Sequence, residues 1–285
     1  VPWLQTDQVA IAKVWRMGER WRMRSLFHRA LGLILLLALG STGACAGMAV
    51  PKPRKLSFQS AGRNIEIDLY PAAGAGPHRT IIVMPGAGGA LLDGPAMRRV
   101  ARELAAAGDT VYLLHYFNRT GTIVAWIALM ERHFDEWLGT VRDAIAWVQA
   151  REGGPATQIG VYGYSLGGFL AVAAASDNPA VGAVAEQAGG MWNSQERRVR
   201  KMPPVLMIHG RADRKVPFEK YAVPLERVLR ARGGKVETHF VDGEGHSFTA
   251  PAMAVVRAKL TEYFGRELRP STARRGKSAA AAARD

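Results

Sequence analysis

Three side chains of this sequence have the types, and the order along the chain, needed to pass a proton from a hydroxyl to a leaving group. Ser165 is the centre of Gly163, Tyr164, Ser165, Leu166, Gly167, the G-x-S-x-G pattern of a nucleophile elbow. Asp213 closes His209, Gly210, Arg211, Ala212, Asp213, and His246 lies in Asp242, Gly243, Glu244, Gly245, His246, Ser247, Phe248. An imidazole that accepts the serine proton needs a carboxylate to fix its tautomer and to stabilise the imidazolium that forms. Asp213 is the acid chosen here, with Asp242 and Glu244 as rivals that lie very close in sequence to the histidine. Of seven histidines only His239 and His246 follow both serine and acid, and His239 is expected inside a strand. A developing oxyanion also needs backbone N–H donors: Leu166, the residue after the serine, and a loop donor from Pro85, Gly86, Ala87, Gly88, Gly89. Ala87 is the choice from that loop, with Gly88 beside it. The pattern G-x-S-x-G alone is unspecific in a chain of 285 residues with 31 glycines. The order and the strand-end placement of the other groups are what lend it weight.

Those groups require elements to hold them. Short apolar runs predict strands at 80–84, 110–114, 158–162, 181–185, 204–209 and 236–241. Amphipathic or small-residue stretches predict helices at 95–107, 128–151, 166–176, 219–232 and 251–266. Alternation of this kind implies an α/β fold, a mostly parallel sheet with helices on both faces and with ligand groups at the carboxyl ends of the strands. Ahead of it, 56–60 and 65–70 alternate apolar and polar residues around Ala61 to Asn64 and read as an antiparallel N-terminal hairpin.

The formal charge of +14 raises the question of a nucleic-acid partner. Residues 1–55 carry +7 and residues 266–285 carry +4, which leaves +3 for residues 56–265. Basicity confined to the ends, without a basic stripe in the core, argues against nucleic acid. Arg20, Arg22, Arg24, His28 and Arg29 precede the apolar run 30–39 and the small residues of 40–47, the layout of an export signal. Residues 1–46 are therefore read as an upstream extension and signal peptide, with Met17 or Met23 as a natural start. Two processing routes compete: cleavage after the Ala44-Cys45-Ala46 site, which is favoured, or lipidation at Cys45. The expected location is periplasmic or secreted, with a membrane tie only through lipidation or an uncleaved signal. Cys45 is the only cysteine, so cleavage after Ala46 would leave neither a disulfide nor a thiol nucleophile. Residues 47–55 read as a Pro-rich basic linker, 56–268 as the folded domain, and 269–285 as a disordered basic tail.

Across 79–268 the motifs MPGAGG, YFNRTGT, GYSLGG, HGRAD and GEGHSF make the chain resemble the α/β-hydrolases, and within them the dienelactone hydrolase family. Dienelactone hydrolases proper use a cysteine nucleophile, and the serine here is a departure that moves the chain toward serine esterases of the same fold. The resemblance and the residues together predict a hydrolase that cleaves small carboxylic esters or lactones through an acyl-enzyme. No cofactor is expected, and no metal, because no Cys/His cluster has zinc spacing. The small room left for a cap predicts an open site suited to short-chain substrates. Tyr164, Tyr116, Trp192 and Met191 are expected to wall it, and Arg119 to meet a substrate carboxylate. A peptidase or acyltransferase of the same fold is the alternative, followed by an exported binding module without catalysis.

Overall fold

Ile81 and Val83 point to one face of a sheet while Ile82 and Met84 point to the other, and all four are completely buried. A strand of period two can bury every side chain only when helices cover both faces. The computed structural model describes residues 51–271, which lie within one compact unit, and shows that arrangement. Eight strands run β1 (Arg54–Ser60), β2 (Arg63–Tyr70), β3 (Thr80–Met84), β4 (Thr110–Leu114), β5 (Ile159–Tyr164), β6 (Val181–Gln187), β7 (Val205–Gly210) and β8 (Val236–Val241). They form one sheet in the order β1-β2-β4-β3-β5-β6-β7-β8. β1 and β2 form the antiparallel hairpin, β2 joins β4 antiparallel, and every pairing from β4 to β8 is parallel.

Five long helices cover the faces: α1 (Gly94–Ala106), α2 (Ile127–Arg151), α3 (Leu166–Ala175), α4 (Phe218–Ala231) and α5 (Ala250–Glu267). Trp137 and Val141 of α2, Leu170 of α3 and Leu225 of α4 share one core with Ile82 and Met84. Met97 and Val100 of α1, with Leu260 and Phe264 of α5, share the other with Ile81 and Val83. Helix α3 is apolar all round and every residue of it is buried, as expected for a helix between a sheet and other helices. β3 is followed in sequence by β4 on one side of it and by β5 on the other. The chain thus changes winding direction at β3 and β5, and the crevice at their carboxyl ends is where this architecture receives ligands.

The strands expected at 80–84, 110–114 and 236–241 match, and the other elements differ from their expected bounds by one or two residues at one or both ends. β1 begins at Arg54, so the last two residues of the expected linker 47–55 are already paired, Arg54 with Leu69 and Lys55 with Asp68. Ordered contacts also continue past Leu268, because the Ser271 N–H donates to the His78 carbonyl at 2.9 Å and its hydroxyl to the Glu152 carbonyl at 2.8 Å. The expected signal peptide with Cys45, residues 47–50 of the linker and the tail beyond 271 lie outside the described residues. Among the described residues no helix is long and apolar enough to cross a membrane.

Candidate active site

β5 ends at Tyr164, α3 begins at Leu166, and Ser165 alone makes the turn, with φ 54° and ψ −121°. A non-glycine residue held in that region costs about 1–3 kcal/mol and persists only where its neighbours enforce it. They do so here: the Ser165 N–H donates to the Gln187 carbonyl at 2.8 Å, and its carbonyl accepts from Gly168 N–H at 2.8 Å. The two glycines of the motif have a steric reason. A β-carbon on Gly163 would collide with the Gly167 carbonyl, and one on Gly167 with the Pro85 and Met84 carbonyls. The tight turn lifts the serine hydroxyl to the top of the sheet, where the residue is 8% exposed.

His246 Nε2 stands 3.0 Å from Ser165 Oγ, and His246 Nδ1 stands 2.8 Å from Asp213 Oδ2. An ionised carboxylate only accepts, so Nδ1 carries the proton and Nε2 is left to accept from the serine hydroxyl. The Asp213 side chain is fully buried and receives two further donors, Lys215 N–H and Val216 N–H at 2.9 Å on Oδ1, while His209 Nε2, which donates to the Val216 carbonyl at 2.9 Å, also stands 3.3 Å from Oδ2. Burial works against its charge, but the hydrogen bonds from His209, His246 and Val216 outweigh it and hold the carboxyl well below the usual range. Chain ends of β7 and β8 are tied together by Ala212 N–H on the Glu244 carbonyl at 3.0 Å, so the acid and histidine loops move as one. The rival acids stand elsewhere. Asp242 is an exposed partner of Arg211 at 3.1 Å, and Glu244 accepts from the Thr249 N–H and hydroxyl at 2.8 and 2.6 Å ahead of α5.

Leu166 opens α3, so its N–H is one of the first-turn amides without an intrahelical acceptor. It lines one cavity together with Ser165, His246, Ala87 and Gly88. The glycine loop after β3 is held on several sides. The Tyr116 hydroxyl donates to the Pro85 and Gly86 carbonyls at 2.9 and 3.3 Å, Ala125 N–H donates to the Ala87 carbonyl at 2.8 Å, and Gly88 N–H donates to Asp93 Oδ2 at 2.9 Å. Burial pushes the Asp93 carboxyl up, against the Gly88 N–H that stabilises its charge.

Of the expected substrate residues, Trp192 and Tyr164 line the cavity. Trp192 stacks on Phe169 with ring centroids 4.7 Å apart, and the Tyr164 hydroxyl donates to the His246 carbonyl at 3.2 Å, which braces the histidine loop. Tyr116 and Arg119 do not reach it. Tyr116 is buried beneath the glycine loop that its hydroxyl clamps. Arg119 turns to the N-terminal hairpin and donates to the Ser60 and Ala61 carbonyls at 3.0 and 2.6 Å, so it is not placed to meet a substrate carboxylate. Met191 is likewise buried in the core and does not line the cavity. The sequence reading missed Asp93, Phe169 and the lysines Lys215 and Lys220, all of which line the cavity. Phe169 had a signal, since it lies four residues after Ser165 and so on the same side of α3; Asp93, whose partners are backbone amides, had none. Among the described residues no group of three or more His, Cys, Asp or Glu side chains could hold a metal ion.

Hydrolases are among the solved structures that resemble this one. The dienelactone hydrolase of Anabaena variabilis superposes with a TM-score of 0.59 at 20% identity, over 78% of this chain and 100% of its own. A dienelactone hydrolase-like promiscuous phosphotriesterase from metagenomic libraries gives 0.65 at 15% identity, over 78% and 100%. Thermogutta terrifontis esterase 2, in a form phosphorylated by paraoxon, gives 0.63 at 17% identity, over 78% and 97%. At these identities the likeness speaks for the α/β-hydrolase fold. No match was found among curated protein sequences. The profile of the dienelactone hydrolase family matches residues 65–263, a span that includes Ser165, Asp213 and His246, and the chain belongs to that family.

Proposed function

We propose that this protein is a serine hydrolase that cleaves carboxylic esters or lactones through an acyl-enzyme. The observation that carries the reading is the hydrogen-bonded line from Asp213 through His246 to Ser165, which ends at a hydroxyl on a strained turn inside a cavity. Ser165 Oγ attacks the substrate carbonyl as His246 Nε2 takes its proton, and the new C–O bond leaves a negative charge on the carbonyl oxygen. The N–H groups of Leu166 and Ala87 meet that charge as dipoles already fixed by the backbone before it develops. His246 then returns the proton to the departing alkoxide as its bond to carbon breaks. Water repeats the sequence on the acyl-enzyme and frees Ser165. Asp213 keeps the imidazole in the required tautomer and offsets its charge when protonated.

The neighbour trapped as its paraoxon adduct supports a test with organophosphorus reagents. A fluorophosphonate probe should label the wild type and fail to label Ser165→Ala, and label His246→Ala far more slowly. Turnover of 4-nitrophenyl acetate should fall on the order of 10⁶-fold in either variant. Labelling that survives Ser165→Ala would overturn the assignment of the nucleophile. Amide substrates hydrolysed as fast as the matched esters would move the reading to a peptidase.

A further inference from the structure

The cavity around Ser165 has a volume of about 800 Å³, more than an acetyl or butyryl group needs. Val124, Met130, Phe169 and Trp192 line it together with Leu92, Trp126 and Ile127, and the carboxylates of Asp93 and Glu131 from the same two segments line it as well. Six large apolar side chains are prominently exposed among the described residues. Five of these, Leu91, Leu92, Ile123, Trp126 and Ile127, belong to the two segments that border this cavity, each between 63% and 72% exposed. Scattered apolar residues on a surface call for no explanation, but a cluster around a cleft marks a surface that something apolar covers. The two segments are neighbours in space as well. Ala125 N–H donates to the Ala87 carbonyl at 2.8 Å, and Gly89 packs against the Ile123 carbonyl. Leu92, Trp126 and Ile127 belong to both the cavity wall and the exposed set, so the cavity that holds the serine has apolar side chains that reach solvent. The cavity's cations come from a different element, Lys215 from the loop before α4 and Lys220 from its first turn.

We infer that this trough receives a long unbranched apolar chain of the substrate, so that the preferred esters carry an extended alkyl group and not the short ones the chain length suggested. The inference rests on the serine hydrolase reading. The occupant is the substrate itself, because Leu92, Trp126 and Ile127 of the exposed apolar set line the same cavity as Ser165. Burial of each further methylene along such a wall should raise kcat/KM about fourfold until the trough is full.

The experiment uses the full chain and 4-nitrophenyl esters from acetate to decanoate, kept below their critical micelle concentrations, alongside acetate esters of alcohols of the same lengths. A rise with acyl length places the chain on the acyl side of the scissile bond, and a rise with alcohol length on the leaving-group side; either supports the inference. In the double variant Trp126→Ser, Ile127→Ser the octanoate-to-acetate ratio of kcat/KM should fall about tenfold or more. Both positions are exposed, and an unchanged melting temperature certifies the fold. A flat profile in both series, with hydrolysis still abolished in Ser165→Ala, overturns this inference and leaves the hydrolase reading standing. Binding of straight-chain alkyl methyl ketones to Ser165→Ala, read by tryptophan fluorescence, needs no catalysis and so holds even if the hydrolase reading fails. Affinity that rises with ketone length supports the trough, and affinity independent of length overturns it. A wild type that sediments as a dimer while the double variant is monomeric, with a flat chain-length profile, would assign the rim to a second copy and overturn it too.

Discussion

Asp213 accepts hydrogen bonds from the His246 imidazole and two backbone amides, with the His209 imidazole 3.3 Å away, and its side chain is fully buried. An asparagine in its place would keep the shape but turn an amide N–H toward an imidazole nitrogen, which favours the tautomer in which His246 Nε2 holds the proton and cannot accept one. Asp213→Asn should therefore lower kcat for 4-nitrophenyl acetate about 10⁴-fold with the fold retained. Asp242→Asn, at an exposed carboxylate paired only with Arg211, should change kcat less than about twofold. Similar losses in the two variants would mean that another carboxylate orients the histidine. Proton transfer restricts which residue types serve and strand-end loops restrict where they stand, so the meeting of Ser165, Asp213 and His246 in one hydrogen-bonded line was legible in the sequence. Substrate contacts carry no such restriction. Tyr116 and Arg119 occupy the segment just after β4 as read, but their polar atoms are taken by backbone carbonyls of the glycine loop and of the hairpin. Residue type and position along the chain do not disclose which way such a side chain turns.

The turn between β5 and α3 concentrates strain that the flanking elements must absorb. Gly163 and Gly167 let the strand and the helix approach within a distance that forbids a β-carbon, and Gly163→Ala would drive a methyl into the Gly167 carbonyl. We expect that change to cost about 3 kcal/mol or more in urea unfolding, at the upper end of overpacking in well-packed cores, because the obstacle is backbone and not a side chain that can rotate away. Gly139 offers the opposite case. It sits on the exposed side of α2 with open space where a β-carbon would stand, so Gly139→Ala should stabilise by about 1 kcal/mol. If the two substitutions shifted the unfolding midpoint in the same direction, the steric account of the elbow would be wrong. Elements of this kind are the most readable level of the chain: β3, β4 and β8 occupy 80–84, 110–114 and 236–241 as their apolar runs predict. What escaped was structure held by backbone pairing alone. Arg54 and Lys55 extend β1 with exposed side chains through their register with Leu69 and Asp68, and the 3₁₀ turns Tyr116–Arg119 and Asn193–Arg198 are too short for any period to appear.

At the scale of the whole molecule, ionisable groups buried beneath the site tie its chemistry to its stability. Glu186, at the end of β6, is completely buried, with Oε2 accepting from Gly189 N–H at 2.9 Å and Oε1 without a partner. Burial pushes its carboxyl up from 4.5 to about 7, with the charge of nearby His209 and the Gly189 N–H opposing the shift. His209 is itself buried; desolvation disfavours its charge, but the hydrogen bond to Asp213 and the proximity of Glu186 outweigh this and raise its pKa. A carboxyl that keeps its proton in the fold and loses it in the unfolded chain makes the unfolded state the poorer proton binder between pH 4.5 and about 7. Stability therefore falls as pH rises through that window. A histidine with a raised pKa gives the same sign, its contribution being present at low pH and lost as pH rises through the folded value. Asp213 has the opposite sign: its depressed pKa stabilises the fold above the ordinary carboxylate range, and that contribution is lost as pH falls toward the folded value. The wild type should accordingly lose up to roughly 3 kcal/mol of stability across the Glu186 window. Glu186→Gln keeps an oxygen for Gly189 N–H but has no proton to release. Urea unfolding of the two proteins at matched pH should show the wild type losing more stability from pH 4.5 to about 7 than the variant does. A wild type whose stability rose across that interval would mean that Glu186 is ionised in the fold, with its charge met by a protonated His209.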